Sequence, residues 1–198
     1  ERLHQSGPTV SQTVARMERD GLLTVKADRT IKLTPKGARL ARDVMRKHRL
    51  AERMLTDVIG LEWEKVHAEA CRWEHVISDE VERRLLGILD SPTSSPYGNP
   101  IPGLRDLGLD HDHVPFREGV VPLSEVVPNR GEVTATLERM SENLQADSEV
   151  LSALAALGLR PGVEFVVRRV GIDLRFCVGD EAVTVDEMVA ELLFVTAH

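Results

Sequence analysis

The chain has 198 residues, 42% of them hydrophobic and 29% charged, with a formal net charge of -7 and two cysteines, Cys71 and Cys177. Such a chain is long enough for one large domain or two to three small ones, and its composition is that of an ordinary soluble globular protein. The cysteine count excludes a disulfide framework, and with no run of about 18 apolar residues and no basic-then-apolar amino terminus, neither a membrane span nor a signal peptide is expected and the chain reads as cytoplasmic.

The charge is unevenly spread. Residues 1–49 hold 12 Lys+Arg against 5 Asp+Glu, a local +7, which leaves the remainder at -14. A basic end on an acidic chain is the electrostatic footprint of a module that meets a polyanion. Within it, PTVSQTVARMERD (8–20) places Val10, Val14 and Met17 at helical spacing and leaves Thr9, Gln12, Arg16 and Arg19 on the opposite face. Gly21 ends that helix. GLLTVKADRTIKLT then alternates, with Leu23 and Val25 answered by Ile31 and Leu33 across a basic tip, KADR, which predicts a two-stranded wing.

Thr34-Pro35 is a cap-plus-first-turn start for a long helix to about residue 57, with Leu40, Val44, Ala51 and Leu55 on one apolar face and His48 among them. A second helix is expected over 62–75, and a third over 79–89 with Ser78 as its N-cap. SPTSSPYGNPIPG cannot be a regular element. Residues 105–130 read as linker, and beyond them VTATL, VEFVVRRV, DLRFCV and AVTV alternate between Gly turns, as a small β-rich module, a barrel by this reading.

The chemistry concentrates in CRWEH (71–75). On a helix, His67, Cys71, Glu74 and His75 share one stripe, but a rise of about 1.5 Å per residue puts His67 roughly 12 Å from His75. Metal bonds of about 2.0–2.3 Å cannot span that. The economical arrangement is two sites: Cys71, Glu74 and His75 around one ion, and His67 with the i, i+4 pair His48 and Glu52 around another. Mixed N, O and S donors suit a divalent transition metal rather than magnesium or calcium. Trp73 reads as packing, because an indole offers only a donor. Asp110-His111-Asp112-His113 reads as a solvated loop. A metal-dependent hydrolase is the competing class, against which stand the absence of HExxH and of a nucleophile elbow.

Taken together, QSGPTVSQTVARMERDG (5–21), MRKHRLAER (45–53), EACRWEHV (69–76), SDEVERRL (78–85) and GNPIPGL (98–104) resemble the family of the diphtheria toxin repressor and the iron-dependent regulators of actinobacteria. The resemblance implies an α+β multi-domain protein: a winged helix-turn-helix over 1–42, a helical metal-binding and dimerisation domain over 43–109, a linker over 110–130, and an SH3-like small β-barrel over 131–198. It implies an Fe2+-dependent repressor of iron-uptake and iron-homeostasis genes, acting on double-stranded operator DNA as a homodimer, with Mn2+, Co2+, Ni2+ or Zn2+ as possible substitutes. A manganese or broader divalent-metal regulator of the same superfamily is the alternative.

By the same resemblance, Cys71, Glu74 and His75 match the primary site, and His48, Glu52 and His67 the ancillary one, completed by Glu142 and Gln145 of SENLQ. Arg49, Ser95 and Asn99 match residues that hold an anion. Ser6, Pro8 and Gln12 match residues that approach bases, and Thr9, Ser11, Arg16, Arg19 and Arg29 match phosphate contacts. Measured against the family, the chain opens at the turn of the helix-turn-helix, so the preceding helices and a methionine ligand of the primary site are expected to be missing.

Overall fold

A computed structural model describes residues 7–112 and 114–197, with the side chains of residues 7 and 8 outside that description. The chain divides into two compact units, residues 1–45 and 46–198.

In the first unit, helix α1 (Gly7–Arg19) is followed by strands β1 (Leu23–Val25) and β2 (Ile31–Leu33), paired antiparallel with Leu23 opposite Leu33 and Val25 opposite Ile31. Val10, Val14 and Met17 are the half-buried positions of α1, as their spacing predicts. At the hairpin tip Asp28 accepts hydrogen bonds from the backbone and hydroxyl of Thr30, which hold its carboxyl below the usual range. Thr34 caps α2 (Pro35–Met54) by accepting from Gly37 N at 3.1 Å. A Cβ at Gly37 would stand 1.9 Å from Leu22 O, so only glycine lets the helix start against the strand entry. Leu40, expected on the buried face, is instead 50% exposed.

The second unit takes over α2 at Arg46. After Met54 the helix widens into a π-turn, Leu55–Ile59, closed by Gly60 at φ 74°. Helix α3 (Trp63–Trp73) and helix α4 (Asp79–Ile88) follow, and Ser78 accepts from Val81 N as the predicted cap. Short strand β3 (Val121–Pro122) precedes β4 (Glu132–Met140). Helices α5 (Glu142–Gln145) and α6 (Ser148–Ala156), capped by Ser141 and Asp147, lead into β5 (Glu164–Val170), β6 (Asp173–Val178), β7 (Glu181–Asp186) and β8 (Leu193–Ala197). The six strands form one antiparallel sheet in the order β3-β8-β4-β5-β6-β7. Among the described residues no helix is long and apolar enough to cross a membrane.

Residues 121–127, read as part of a linker, belong to this sheet and its core. β3 pairs with β8, and Leu123 and Val127 are buried with Leu137, Phe165, Phe176 and Val195. The same core contains Ala51, Leu55, Trp63, Val66 and Ala70 of the helices, so it joins helices to sheet, while a second, smaller cluster of Leu50, Leu85, Leu86, Ile101 and Leu104 packs α2 against α4 and the loop after it. Each large side chain fully withdrawn from water contributes about 1.5–3 kcal/mol, and this continuity fixes the sheet-borne α5 against α2 and α3.

Arg46 and Glu82 form a buried, two-bonded ion pair at 2.7 and 3.2 Å, and Arg46 also donates to Gly103 O at 3.1 Å. Glu82→Ala leaves the guanidinium buried without its main counter-charge and is expected to cost about 3–5 kcal/mol, measured by urea unfolding. The double substitution Arg46→Met with Glu82→Leu should recover most of that loss.

Candidate functional site

The last turns of α2 carry His48 and Glu52 on one face, and both are buried. His67 of α3 comes against them: its Nδ1 lies 3.1 Å from His48 Nε2 and 3.3 Å from Glu52 Oε1, while His48 Nε2 lies 2.8 Å from Glu52 Oε1. Glu142, at the start of α5, brings Oε2 to 3.9 Å from His48 Nε2 and 3.8 Å from His67 Nδ1. One donor atom from each of His48, Glu52, His67 and Glu142 thus falls within 4.8 Å of the others. Glu52 Oε2 and Glu142 Oε2 are buried and accept no hydrogen bond within the protein. Unpartnered buried acceptors are costly, and a cation is the species that relieves several at once. The residues therefore fit a divalent metal. Gln145 is buried too; its amide donates to Met140 O at 2.9 Å and its Oε1 has no donor.

CRWEH is arranged differently from the helical-stripe expectation. Cys71 stands at the exposed edge of α3 with Sγ 3.7 Å from His67 Nε2, and its compact donor set is His48, His67 and Cys71. Glu74 turns back to His48, Oε2 to Nδ1 at 2.7 Å, and reaches His75 Nε2 with Oε1 at 3.3 Å. The side chain of His75 is 68% exposed. Cys71, Glu74 and His75 do not together form one of the donor sets gathered within 4.8 Å in the described residues. Glu74 is the C-cap of α3, still helical in backbone and bonded through its N–H to Ala70 O, whereas His75 lies in the turn beyond it. His48 is therefore shared, one ring nitrogen toward each expected site. Trp73 packs against the core and donates Nε1 to Glu69 at 2.9 Å.

The electrostatics follow from this crowding of carboxylates. Burial disfavours the charged form of His48, but its hydrogen bond to Glu52, with the charges of Glu52, Glu142 and Glu74, outweighs that and leaves its pKa raised. Burial likewise pushes Glu52 up, and the hydrogen bonds from His48 and His67 reverse the sign and leave it lowered. The Cys71 thiol is pushed up to about 11, first by partial desolvation of its sulfur and then by Glu74, Glu52 and Glu142.

Arg49 and Asn99 both reach Glu142 of this cluster, and Ser95 is tied to Asn99 by its backbone. Arg49 Nη2 pairs with Glu142 Oε1 at 2.7 Å, its Nη1 donates to Pro100 O, and Asn99 Nδ2 donates to Glu142 Oε1 at 3.4 Å. Ser95 is buried and accepts from Tyr97 N at 3.2 Å. The guanidinium and the amide together hold a carboxylate of the chain itself.

On α1, Thr9, Ser11, Gln12, Arg16 and Arg19 are all exposed, and Thr9, Gln12, Arg16 and Arg19 border one shallow groove. Glu18 also borders it and accepts from Val25 N at 2.9 Å. Arg29 projects from the hairpin tip at φ 65°. Ser6 lies outside the described residues; Pro8 is in the first turn of α1, with its side chain outside them. Asp110 and Asp112 are exposed and pair with Arg105, and His113 lies outside the described residues.

Residues 34–103 match the family model of the iron dependent repressor metal binding and dimerisation domain. The chain is 52% identical over 198 residues to a diphtheria toxin repressor of Corynebacterium efficiens, covering 100% of this chain and 82% of that protein. It is 54% identical over 167 residues to the iron-dependent repressor IdeR of Mycobacterium leprae, covering 84% and 72%. The chain belongs to the diphtheria toxin repressor family of iron-dependent repressors. The fold agrees: a manganese-dependent transcriptional repressor in complex with manganese superposes with a TM-score of 0.79 at 27% identity, covering 100% of this chain and 87% of that one. IdeR of T. acidophilum does so at 0.74 and 26%, covering 99% and 85%.

This is a family of transcriptional regulators, not enzymes, which removes the hydrolase reading. The stretch matched by the family's domain model spans α2 to the loop after α4 and contains every residue of the cluster except those of SENLQ. What sequence reasoning missed in this repressor is the contact between His48 and Glu74. It leaves no periodic signal, because it joins α2 to the capping residue of α3 across 26 positions.

Proposed function

We propose that this chain is an Fe2+-activated repressor that binds double-stranded operator DNA as a homodimer and controls iron-uptake and iron-homeostasis genes in the cytoplasm. The observation that carries the reading is the convergence of His48, Glu52, His67 and Glu142 around buried carboxylate oxygens that have no hydrogen-bond partner. In this reading they form the ancillary site with Gln145, and Cys71, Glu74 and His75 form the primary one, with Arg49, Ser95 and Asn99 as an anion pocket beside them. A bound divalent ion supplies positive charge that offsets the repulsion among Glu52, Glu74 and Glu142. His48 holds that role with its own proton at low pH, and Arg49 keeps Glu142 aimed at the cluster.

The first unit serves as the winged helix-turn-helix, with α1 as recognition helix: Ser6, Pro8 and Gln12 approach bases, while Thr9, Ser11, Arg16, Arg19 and the wing-tip Arg29 meet phosphates. The winged domain takes residues 1–42, the helical domain 43–109, a connecting segment 110–130 and the SH3-like domain 131–198, with β3 of the connecting segment added at the edge of its sheet. Exposed Val76, Val81 and Ile88, around α4, supply apolar area for a second copy. A manganese-responsive regulator remains the alternative, favoured by the manganese named for one structural neighbour; the sulfur of Cys71 favours iron.

The test is an anaerobic operator titration of the full-length repressor with and without Fe2+ at stated salt. Metal should tighten binding, and loaded protein should lose affinity steeply with salt, about 10³–10⁵-fold between 50 and 200 mM if six to ten phosphates are contacted. Arg16→Ala should weaken all sequences alike and flatten the salt slope by about one unit, whereas Gln12→Ala should relax preference at one base step. Equal binding by apo and loaded protein overturns the reading.

A further inference from the structure

We infer that Tyr97 is a positioning residue for the cluster of His48, Glu52, His67 and Glu142, setting how the chain segments that supply its donors meet; the inference rests on the metal-binding reading above. Tyr97 is fully buried, and its hydroxyl donates to Trp63 O at 2.7 Å. Trp63 opens α3, and its carbonyl is the one that a regular helix pairs with the backbone N–H of His67. The phenol ring packs on the Trp63 indole, centroids 5.0 Å apart and tilted by 34°, and the Arg160 guanidinium stands 3.8 Å from the centre of that indole. The side chain of Tyr97 thus holds the turn of α3 from which His67 projects.

The backbone of the same residue holds the other side. Tyr97 O accepts from Met140 N at 3.1 Å, and Met140 O accepts from the Gln145 amide at 2.9 Å, so the end of β4 and the start of α5 are tied to position 97. Glu142 follows Met140 by two residues. Gly98, at φ 80°, keeps the loop flush with β4, since a Cβ there would stand 1.8 Å from Glu138 O. The loop also supplies the Asn99 amide to Glu142 and the Pro100 carbonyl to Arg49 of α2. Position 97 is therefore bonded to the segments that carry His67 and Glu142, while its loop is bonded to α2, which carries His48 and Glu52. Donors drawn from segments so far apart in sequence meet to within tenths of an ångström only if the elements carrying them are held in register.

The test uses Co2+ with the full chain under anaerobic conditions, following the sulfur-to-cobalt absorption of Cys71 and the ligand-field bands separately, with apo thermal unfolding in parallel. Tyr97→Phe keeps the ring and removes the hydrogen bond. Loss of an outer-shell partner costs about 10–100-fold in metal affinity, so the cluster should bind about tenfold more weakly while the Cys71 band titrates as in wild type. Undiminished affinity of the cluster overturns the inference, as does parallel weakening of both signals together with a lowered unfolding temperature, which marks a role in folding alone. If Tyr97→Phe fails to fold, p-aminophenylalanine at position 97 keeps a ring and an N–H donor. It should bind as wild type, and a folded p-amino protein with a tenfold weaker cluster overturns the inference. A wild-type chain that takes up no Co2+ at the cluster overturns the metal reading and this inference with it, whereas a fault confined to the variants touches this inference alone.

Discussion

On the proposed reading, Cys71→Ser and Cys71→Ala are expected to need on the order of a hundredfold more Fe2+ than wild type to reach half-maximal operator binding, since each removes the thiolate that would bind the ion and loss of an outer-shell group alone costs about 10–100-fold. The argument begins from the crowding of charge around the thiol. Partial desolvation and the nearby carboxylates of Glu74, Glu52 and Glu142 push it up to about 11, so near neutral pH it carries its proton in the metal-free chain. Coordination by sulfur requires the thiolate, so metal uptake expels that proton. Affinity should then rise by about tenfold per pH unit for each proton released, across the whole neutral range, because that range lies below the thiol's pKa. His48 adds to the trend in the same sense: its raised pKa means it keeps a proton to higher pH than a free imidazole, and metal must displace that one too.

In the apo protein the sign is opposite. The stability that protonated His48 contributes is present below the ordinary imidazole pKa and fades as pH rises through its raised value. Cys71→Asp, which keeps an anionic donor ionised near pH 7, should retain part of the metal response and lose much of its pH dependence. It should also be insensitive to oxidant, whereas the wild-type thiol loses its sulfur donor on oxidation and recovers with reductant at the reversible stages. Operator binding against Fe2+ at three pH values, for the four proteins, decides it. Coincident curves for wild type and Cys71→Ala identify Cys71 as a surface residue of α3 and nothing more.

Replacing Glu142 and Gln145 together with Ala should weaken metal at the cluster of His48, Glu52 and His67 by about 10–100-fold and leave the site that uses Cys71 nearly intact. Glu142 is the only carboxylate of the cluster supplied by α5, and its free oxygen faces both imidazoles at 3.8–3.9 Å. Its removal also releases Arg49, whose guanidinium then has Pro100 O as its remaining partner here and adds repulsion toward an incoming cation. Titration calorimetry with Mn2+ or Co2+, read as two separable binding events, measures the effect. Unchanged stoichiometry and affinity in the double variant would show that SENLQ takes no part in metal binding.

Much of the helical half was legible because its signals are local. Thr34-Pro35 and Ser78 announce helix starts by a side-chain oxygen reaching a backbone N–H a few residues on, and both do so in the structure. The Leu23–Val25 and Ile31–Leu33 pairing was readable from alternation, and His48 with Glu52 from their i, i+4 spacing on one helix. Even the ligand types needed only the residue identities, since histidine, carboxylate and thiol select transition metals whatever fold presents them. The strands from β4 to β7 were also visible as alternating runs. β3 and β8 were not: β3 is two residues long, and in β8 three consecutive residues, Leu193, Phe194 and Val195, are buried, which erases the alternation.

Tertiary structure decided the rest. No periodicity in SENLQ says that its glutamate will stand against imidazoles from α2 and α3; that contact exists because a core running from Ala51 and Val66 to Phe165 and Val195 locks sheet and helices together. The fate of CRWEH was likewise not a matter of spacing. The stripe argument assumed a helix through residue 75; in the structure α3 is capped at Glu74, whose carboxylate meets His48, and His75 lies in the turn beyond it with its side chain outward. The sequence by itself determined which donors this protein owns and which helix faces carry them, because those follow from residue identity and a 3.6-residue repeat. Which donors stand together was decided only in the folded chain, because that depends on packing between segments nearly a hundred residues apart.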